Sequence, residues 1–172
     1  MAKGYIQPYD IDYQETFALV AKINTVRDLP SLIADLDWSL HHLDIKNAFL
    51  NRELEEEVYM QLPPSFENPY GKGNVCKLKR SLYNLKQSPR AWFDSFSKSI
   101  KVFSFSQSSA NHTLFLMHSM NGKITILIVY VYDIILIKND EAEIGQLKTL
   151  LSKEFEIKGM GPLRYFLEIE IA

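Results

Sequence analysis

Apolar residues along this chain recur with two periods, and the switches between them divide it into strands and helices. From Lys22 to Asp37 the positions Ile23, Val26, Leu29, Leu32, Ile33 and Leu36 fall three or four apart, which predicts a helix kinked or shortened by Pro30. Trp38 to Asp44 alternates as a strand, and Glu57 to Leu62 reads as extended up to Pro63-Pro64. Ser88-Pro89 opens a helix that runs to about Phe103. Thr113 to His118 and Lys123 to Tyr130 then pair around Met120-Asn121-Gly122, where Asn-Gly is a strong turn signal. Glu141 to Phe155 is amphipathic, with Ile144, Leu147, Leu150 and Leu151 on its inner side, and Leu163 to Ile171 closes as a last strand. This order predicts an α+β fold, an antiparallel sheet with helices on one face.

The segment from Ile124 to Ile137 is an apolar double run with one carboxylate, Asp133, near its middle. An unpaired charge inside a strand costs several kcal/mol, so the acid is expected at the tip of a hairpin. A second acid, Asp44, ends the alternating run from Trp38. Two strand-borne acids that meet in the fold suggest a divalent-metal site; the competing reading of Asp44 is a strand-end cap.

Composition narrows the class. A chain of 172 residues with 47% hydrophobic content buries a sizeable core without disulfides, which predicts one compact domain. The single cysteine, Cys76, lies in the alternating segment Val75-Cys-Lys-Leu78 and reads as a buried structural thiol. The N-terminus lacks an apolar core of signal-peptide length, and the Ile124 to Ile137 run is too short and interrupted to span a bilayer. These features lead us to expect a soluble intracellular protein, cytoplasmic or nuclear, with no membrane partner. A formal net charge of −2 argues against a general grip on nucleic acid. Charge is nonetheless clustered: Glu53 and Glu55 to Glu57 read as a solvated face, whereas Lys77, Lys79, Arg80, Lys86 and Arg90 read equally well as a binding patch or as plain surface. The histidines His41, His42, His112 and His118 show no metal-ligand spacing, and His112 reads as structural.

Six phrases in fixed order carry more information than any one of them: Leu43-Asp-Ile-Lys-Asn-Ala-Phe-Leu50, Glu57-Val-Tyr-Met60, Ser81-Leu-Tyr-Asn-Leu-Lys-Gln-Ser-Pro-Arg-Ala-Trp92, Asn111-His-Thr-Leu-Phe115, Tyr130-Val-Tyr-Asp133 and Gly161-Pro-Leu-Arg-Tyr-Phe-Leu167. Together they resemble, nearly end to end, the reverse transcriptase domain of copia-type long-terminal-repeat retrotransposons. The resemblance implies a polymerase palm-like sheet with partial fingers, spanning residues 1–172 as a domain fragment without ribonuclease H, integrase or protease. It also implies a two-metal RNA-directed DNA polymerase that uses Mg²⁺, or Mn²⁺ in its place, on an RNA or DNA template-primer and deoxynucleoside triphosphates. Asp44 and Asp133 fall at metal-ligand and catalytic positions. Phe49 matches the ring that lies under the sugar and excludes a ribose 2′-hydroxyl, with core packing as its plain alternative. Lys86, Gln87 and Ser88 match the segment that seats the incoming nucleotide, near a helix start. Lys158 lies where a lysine could protonate the leaving pyrophosphate, although a solvated lysine at a turn accounts for it too.

The departures from the pattern are as informative. The family's hairpin reads Tyr-Val-Asp-Asp, and Tyr132 stands at the first aspartate position. A phenol is neutral at pH 7 and is a poor ligand for Mg²⁺, so metal binding is expected to be weakened. Asp133 is the obvious substitute, yet alternation along a strand predicts that it points away from Tyr132. Glu168 replaces a glycine in a phrase resembling the primer grip; Asn84, Arg52 and Ser65 replace other family glycines, and Asn111 replaces an aspartate. Basic finger residues that clamp the triphosphate are expected before Ala2, and the rest of the thumb beyond Ala172. The expected function is thus a reverse transcriptase domain, impaired in catalysis. The alternatives are a non-catalytic module that binds nucleic acid or protein through the same sheet, or an element remnant without function, and exposed former interfaces predict a tendency to aggregate.

Overall fold

The computed structural model describes residues 6–8, 38–50, 52–62, 75–119, 122–138, 141–163, 165–166 and 169–170. The helix expected from Lys22 to Asp37, the Pro63-Pro64 stop, Ser65 and Glu168 lie outside the described residues. The chain divides into two compact units, one of Met1–Ala18 with Phe49–Ser95 and one of Leu19–Ala48 with Phe96–Ala172.

The first unit is built on a two-stranded antiparallel ribbon, β2 (Glu53–Gln61) against β3 (Val75–Arg80). Alternation assigns its faces: Val58 is buried and Leu54 and Leu78 are half-buried on the inner side, where they join Leu82 and Leu85, while Glu53, Glu55, Glu57 and Tyr59 are exposed. β2 starts four residues before the predicted Glu57, because the glutamate run sustains the alternation. The helix α1 (Ser88–Val102) begins where predicted and ends one residue early. Asn84, at φ 69°, takes the left-handed conformation that asparagine tolerates.

The strands of the second unit are β1 (Ser39–Ile45), β4 (Ser106–Gln107), β5 (Leu114–His118), β6 (Ile124–Tyr130), β7 (Asp133–Lys138) and β8 (Ile157–Pro162). They form a six-stranded sheet in the order β4-β5-β6-β7-β1-β8, with every pairing antiparallel. The turn expected between β5 and β6 is present. Gly122 sits at φ 72° and the Ser119 N–H donates to the Lys123 carbonyl at 2.9 Å. Central strands read as near-continuous apolar runs because the sheet buries both faces there: Ile134 to Lys138 are all buried. On one face Phe96 of α1 meets Phe115 and Phe155 edge-on or tilted, with centroids 6.1 and 5.5 Å away. The other face carries Leu40, Ile128, Ile135, Ile137 and Leu163 as a core of its own.

Two more elements differ from expectation. The helix α2 (Glu141–Leu151) gives way to turns at Ser152–Glu154, four residues short of Phe155, and β8 follows where only a turn was expected. β8 escaped notice because Gly159 and Gly161 break its apolar pattern. Gly161, at φ 84°, lies at the register shift opposite His42 and Leu43, where glycine relieves the backbone. The last strand expected from Leu163 to Ile171 is instead a small antiparallel pair, β9 (Tyr165–Phe166) with β10 (Ile169–Glu170).

Candidate functional site

β1 is the strand on which the acidic chemistry of the second unit depends. It lies between β7 and β8, and its register sets Asp44 directly opposite Asp133 on one side and Lys158 on the other. Residues directly opposed across antiparallel strands project to the same face, so the row Asp133, Asp44, Lys158 shares one face of the sheet. His42, two residues before Asp44, lies on that face too. Its Nε2–H donates to Asp133 Oδ1 at 2.7 Å, with the two side chains 19% and 23% exposed. This is the diagonal contact expected of neighbouring antiparallel strands.

Asp133 is not at the hairpin tip, as expected from sequence, but is the first residue of β7, closing the turn opposite Tyr130. The tip is Val131-Tyr132. Positive φ at Val131 (59°), and not at Tyr132, is the sign pattern of a type II′ turn, whose first position is normally glycine. A β-branched residue there is strained by about 1–3 kcal/mol. The Ile45 N–H donates to the Tyr132 carbonyl at 3.1 Å and ties the tip to the end of β1. The Tyr132 side chain is 46% exposed. Two turn residues reset the alternation, so strand periodicity does not decide the face of Asp133. The register does, and it gives Asp133 the face of Asp44.

Just after β1, Lys46 and Asn47 converge on Glu156, which accepts from Lys46 Nζ at 3.2 Å and from Asn47 Nδ2 at 3.4 Å. These bonds fasten the end of β1 to the start of β8, which holds Lys158 beside Asp44. The lysine is exposed, on a strand and not at a turn.

Residues proposed from sequence for nucleotide contact belong to the first unit. Phe49 stands edge-on to Tyr83 and Trp92, with centroids 6.2 and 6.3 Å away, and its carbonyl accepts from the Ser81 hydroxyl at 2.8 Å. The ring is thus held firmly in place. Ser88 is buried and its hydroxyl donates to the Leu82 carbonyl at 2.7 Å, so it braces the loop before α1. Gln87 is buried as well, accepting from Gln7 Nε2 at 3.2 Å. Lys86 is exposed, with its backbone N–H donating to Gln7 Oε1 at 3.0 Å.

Pairing of β2 with β3 brings the acidic run against the basic cluster. Glu57 forms an ion pair with Lys77 and accepts from the Tyr59 hydroxyl at 3.0 Å. The Lys77 hydrogen bond, then that of Tyr59, holds the Glu57 carboxyl below the usual carboxylate range, and the Glu57 bond raises Lys77. Arg90 faces Asp94 at 3.8 Å one helical turn on. Part of the supposed patch is therefore neutralised locally. His112 is exposed, and its carbonyl accepts from Gln107 Nε2 at 2.7 Å.

Among the described residues no group of three or more His, Cys, Asp or Glu side chains is arranged to hold a metal ion. A protein supplies Mg²⁺ with one or two carboxylates and leaves the rest of its octahedron to phosphate and water; Asp44 and Asp133 are an opposed pair of that chemistry, and Tyr132 adds no third acid. Among the described helices none is long and apolar enough to cross a membrane. His42 is the residue that sequence reasoning missed; an imidazole at i−2 from an acid on an alternating strand was the available signal.

Comparison with known proteins gives a consistent answer. The family model described as reverse transcriptase (RNA-dependent DNA polymerase) matches residues 1–172. The chain is 37% identical over 171 residues to the retrovirus-related Pol polyprotein from transposon TNT 1-94 of Nicotiana tabacum, covering 99% of this chain and 13% of that protein. It is 38% identical over 171 residues to the corresponding polyprotein from transposon RE1 of Arabidopsis thaliana, again 99% of this chain and 12% of the relative. A truncated transposon Ty1-A Gag-Pol polyprotein of Saccharomyces cerevisiae is 29% identical over 155 residues, 87% of this chain and 12% of its own. The chain spans about an eighth of the length of the plant relatives. No solved structure matches it.

Proposed function

Because the chain belongs to the reverse transcriptase (RNA-dependent DNA polymerase) family of retrotransposon Pol polyproteins, we propose that it is the palm portion of an RNA-directed DNA polymerase whose nucleotidyl transfer is impaired at Tyr132. The observation that carries this reading is the single row of Asp133 and Asp44 on one sheet face, next to a hairpin tip that presents a phenol. Asp44 and Asp133 are the residues that would hold Mg²⁺. When bound, such an ion neutralises phosphate charge and favours ionisation of the primer hydroxyl.

The chain's own side chains have separable tasks in this reading. Asp44 and Asp133 supply the negative charge, and Lys158, directly beside Asp44, supplies a proton or a countercharge to the departing pyrophosphate. Phe49, packed against Tyr83 and Trp92, supplies the bulk that excludes a 2′-hydroxyl from the sugar site. Lys86 offers an exposed cation to template or triphosphate, while Gln87 and Ser88 set the loop that carries it. Tyr132 contributes no carboxylate. Loss of one group that stabilises developing charge costs on the order of a thousandfold in rate, and loss of a metal ligand belongs on that scale.

Primer extension on an RNA template, with Mg²⁺ and then Mn²⁺, tests this by comparing the chain with its Tyr132→Asp variant. Extension by the variant alone, lost again on adding Asp44→Asn, is the expected result. Equal extension by both proteins would contradict the proposed impairment, and silence in both would contradict a palm competent in this chain.

A further inference from the structure

We propose that His42 is a positioning residue that keeps the Asp133 carboxylate engaged within the sheet, and that it competes with a divalent cation for that carboxylate. This rests on the reading of Asp44 and Asp133 as the cation-holding pair and goes beyond it by naming what controls access to one of them.

Two carboxylates directly opposed on adjacent strands destabilise each other, and the register of β1 with β7 imposes that opposition on Asp44 and Asp133. Something must offset it when no cation is bound. Lys158 flanks Asp44 from β8. Asp133, at the start of β7, has the Tyr130 pairing on its far side and receives a donor from the diagonal: His42 Nε2, 2.7 Å from Oδ1. Each carboxylate thus has its own neighbour, a lysine in one case and an imidazole in the other.

An ionised carboxylate offers only acceptor sites, and the one taken by the imidazole N–H points within the sheet face. Asp44 and Asp133 would hold a cation through lone pairs of both acids. To take the lone pair that the imidazole occupies it must displace the His42 bond, and the free energy of that bond is then subtracted from cation affinity. A hydrogen bond to a charged group, partly screened at one-fifth exposure, corresponds to about a tenfold change in binding. The effect is independent of Tyr132, which means that restoring an acid at the tip leaves this second restraint in place.

Mn²⁺ binding to the whole chain, read by electron paramagnetic resonance without nucleotide or template, tests the proposal. His42→Val supplies a good strand former and removes the donor; about tenfold tighter Mn²⁺ binding than the unsubstituted protein is expected, abolished by adding Asp44→Asn. His42→Gln retains an N–H donor and is expected to stay close to the unsubstituted affinity. Unchanged binding in His42→Val, or equal tightening in both variants, would overturn the role of the hydrogen bond. Tyr132→Asp separates this failure from failure of the underlying reading. Mn²⁺ binding that strengthens in Tyr132→Asp but not in His42→Val defeats only the present inference, whereas no Asp44-dependent binding in any variant defeats both. Should His42→Val lose its cooperative melting transition, nitrogen-15 shifts of the His42 ring in the unsubstituted protein during Mg²⁺ titration decide the matter. Movement at the midpoint of cation binding supports competition, and binding that leaves the ring unmoved overturns it.

Discussion

Two cross-strand pairs in this molecule each join a carboxylate to a nitrogen donor, in very different settings. Glu57 and Lys77 meet on the outer face of the β2–β3 ribbon, with side chains 64% and 51% exposed. His42 and Asp133 meet inside a six-stranded sheet, at 19% and 23%. Water and salt screen the first pair, and its long side chains lose rotamer freedom on pairing. The second pair is held by short side chains on central strands, next to another carboxylate with which Asp133 shares a face. A charge pair gains consequence from what its backbone leaves no room to avoid, and here the β1 register leaves Asp44 and Asp133 no alternative to facing each other.

The strongest way to sharpen the contrast is to remove packing under each pair. Ile135→Ala, which empties a fully buried position on the face of His42, is expected to lower stability by about 2–5 kcal/mol. Val58→Ala beneath the ribbon removes fewer atoms from a smaller cluster and is expected to cost about 1–2 kcal/mol. Chemical denaturation of both variants measures the difference, and equal losses would erase the distinction between the regions.

A smaller change concerns the hairpin that delivers Asp133. Val131→Gly places a residue suited to positive φ at the first turn position, and a net gain of up to about 1 kcal/mol is expected, since relief of strain exceeds the backbone entropy of glycine. A loss on thermal unfolding would show that the Val131 side chain contributes packing that outweighs the strain.

The smallest expected effect belongs to the ribbon pair, and its pH dependence has a definite sign. The lowered Glu57 group contributes above its unfolded value and ceases to do so as pH falls through its folded value. The raised Lys77 group contributes below its unfolded value and ceases to do so as pH rises through its folded value. Stabilisation is therefore confined to the range between ordinary carboxylate and ammonium titrations. Glu57→Gln should lower the melting midpoint slightly in low salt at neutral pH and not at all in molar salt; a shift that survives molar salt would give this pair the standing of the half-buried one.

Much of this fold is legible in the sequence because alternation and turn chemistry speak directly. β1, β5, β6 and α1 follow from period and from Asn121-Gly122 or Ser88-Pro89. What escaped was long-range. β8 contains two glycines and no apolar rhythm, so only its pairing with β1 identifies it as a strand. The acidic and basic stretches looked like separate surfaces because nothing local reveals that β2 and β3 are partners. At the candidate site, Asp44 and Asp133 could be named from motif order, but their shared face could not, because a two-residue turn resets the alternation. His42 was passed over for the same reason: its partner lies 91 positions away.

Double-mutant cycles on the two pairs, His42→Val with Asp133→Asn and Lys77→Met with Glu57→Gln, measure the central claim most directly. A coupling of about 1 kcal/mol or more between His42 and Asp133, against none resolvable between Lys77 and Glu57, is the predicted result. Additive losses at His42 and Asp133 would contradict it, since the Asp133 carboxylate would then stand on Asp44's face without being held there by His42.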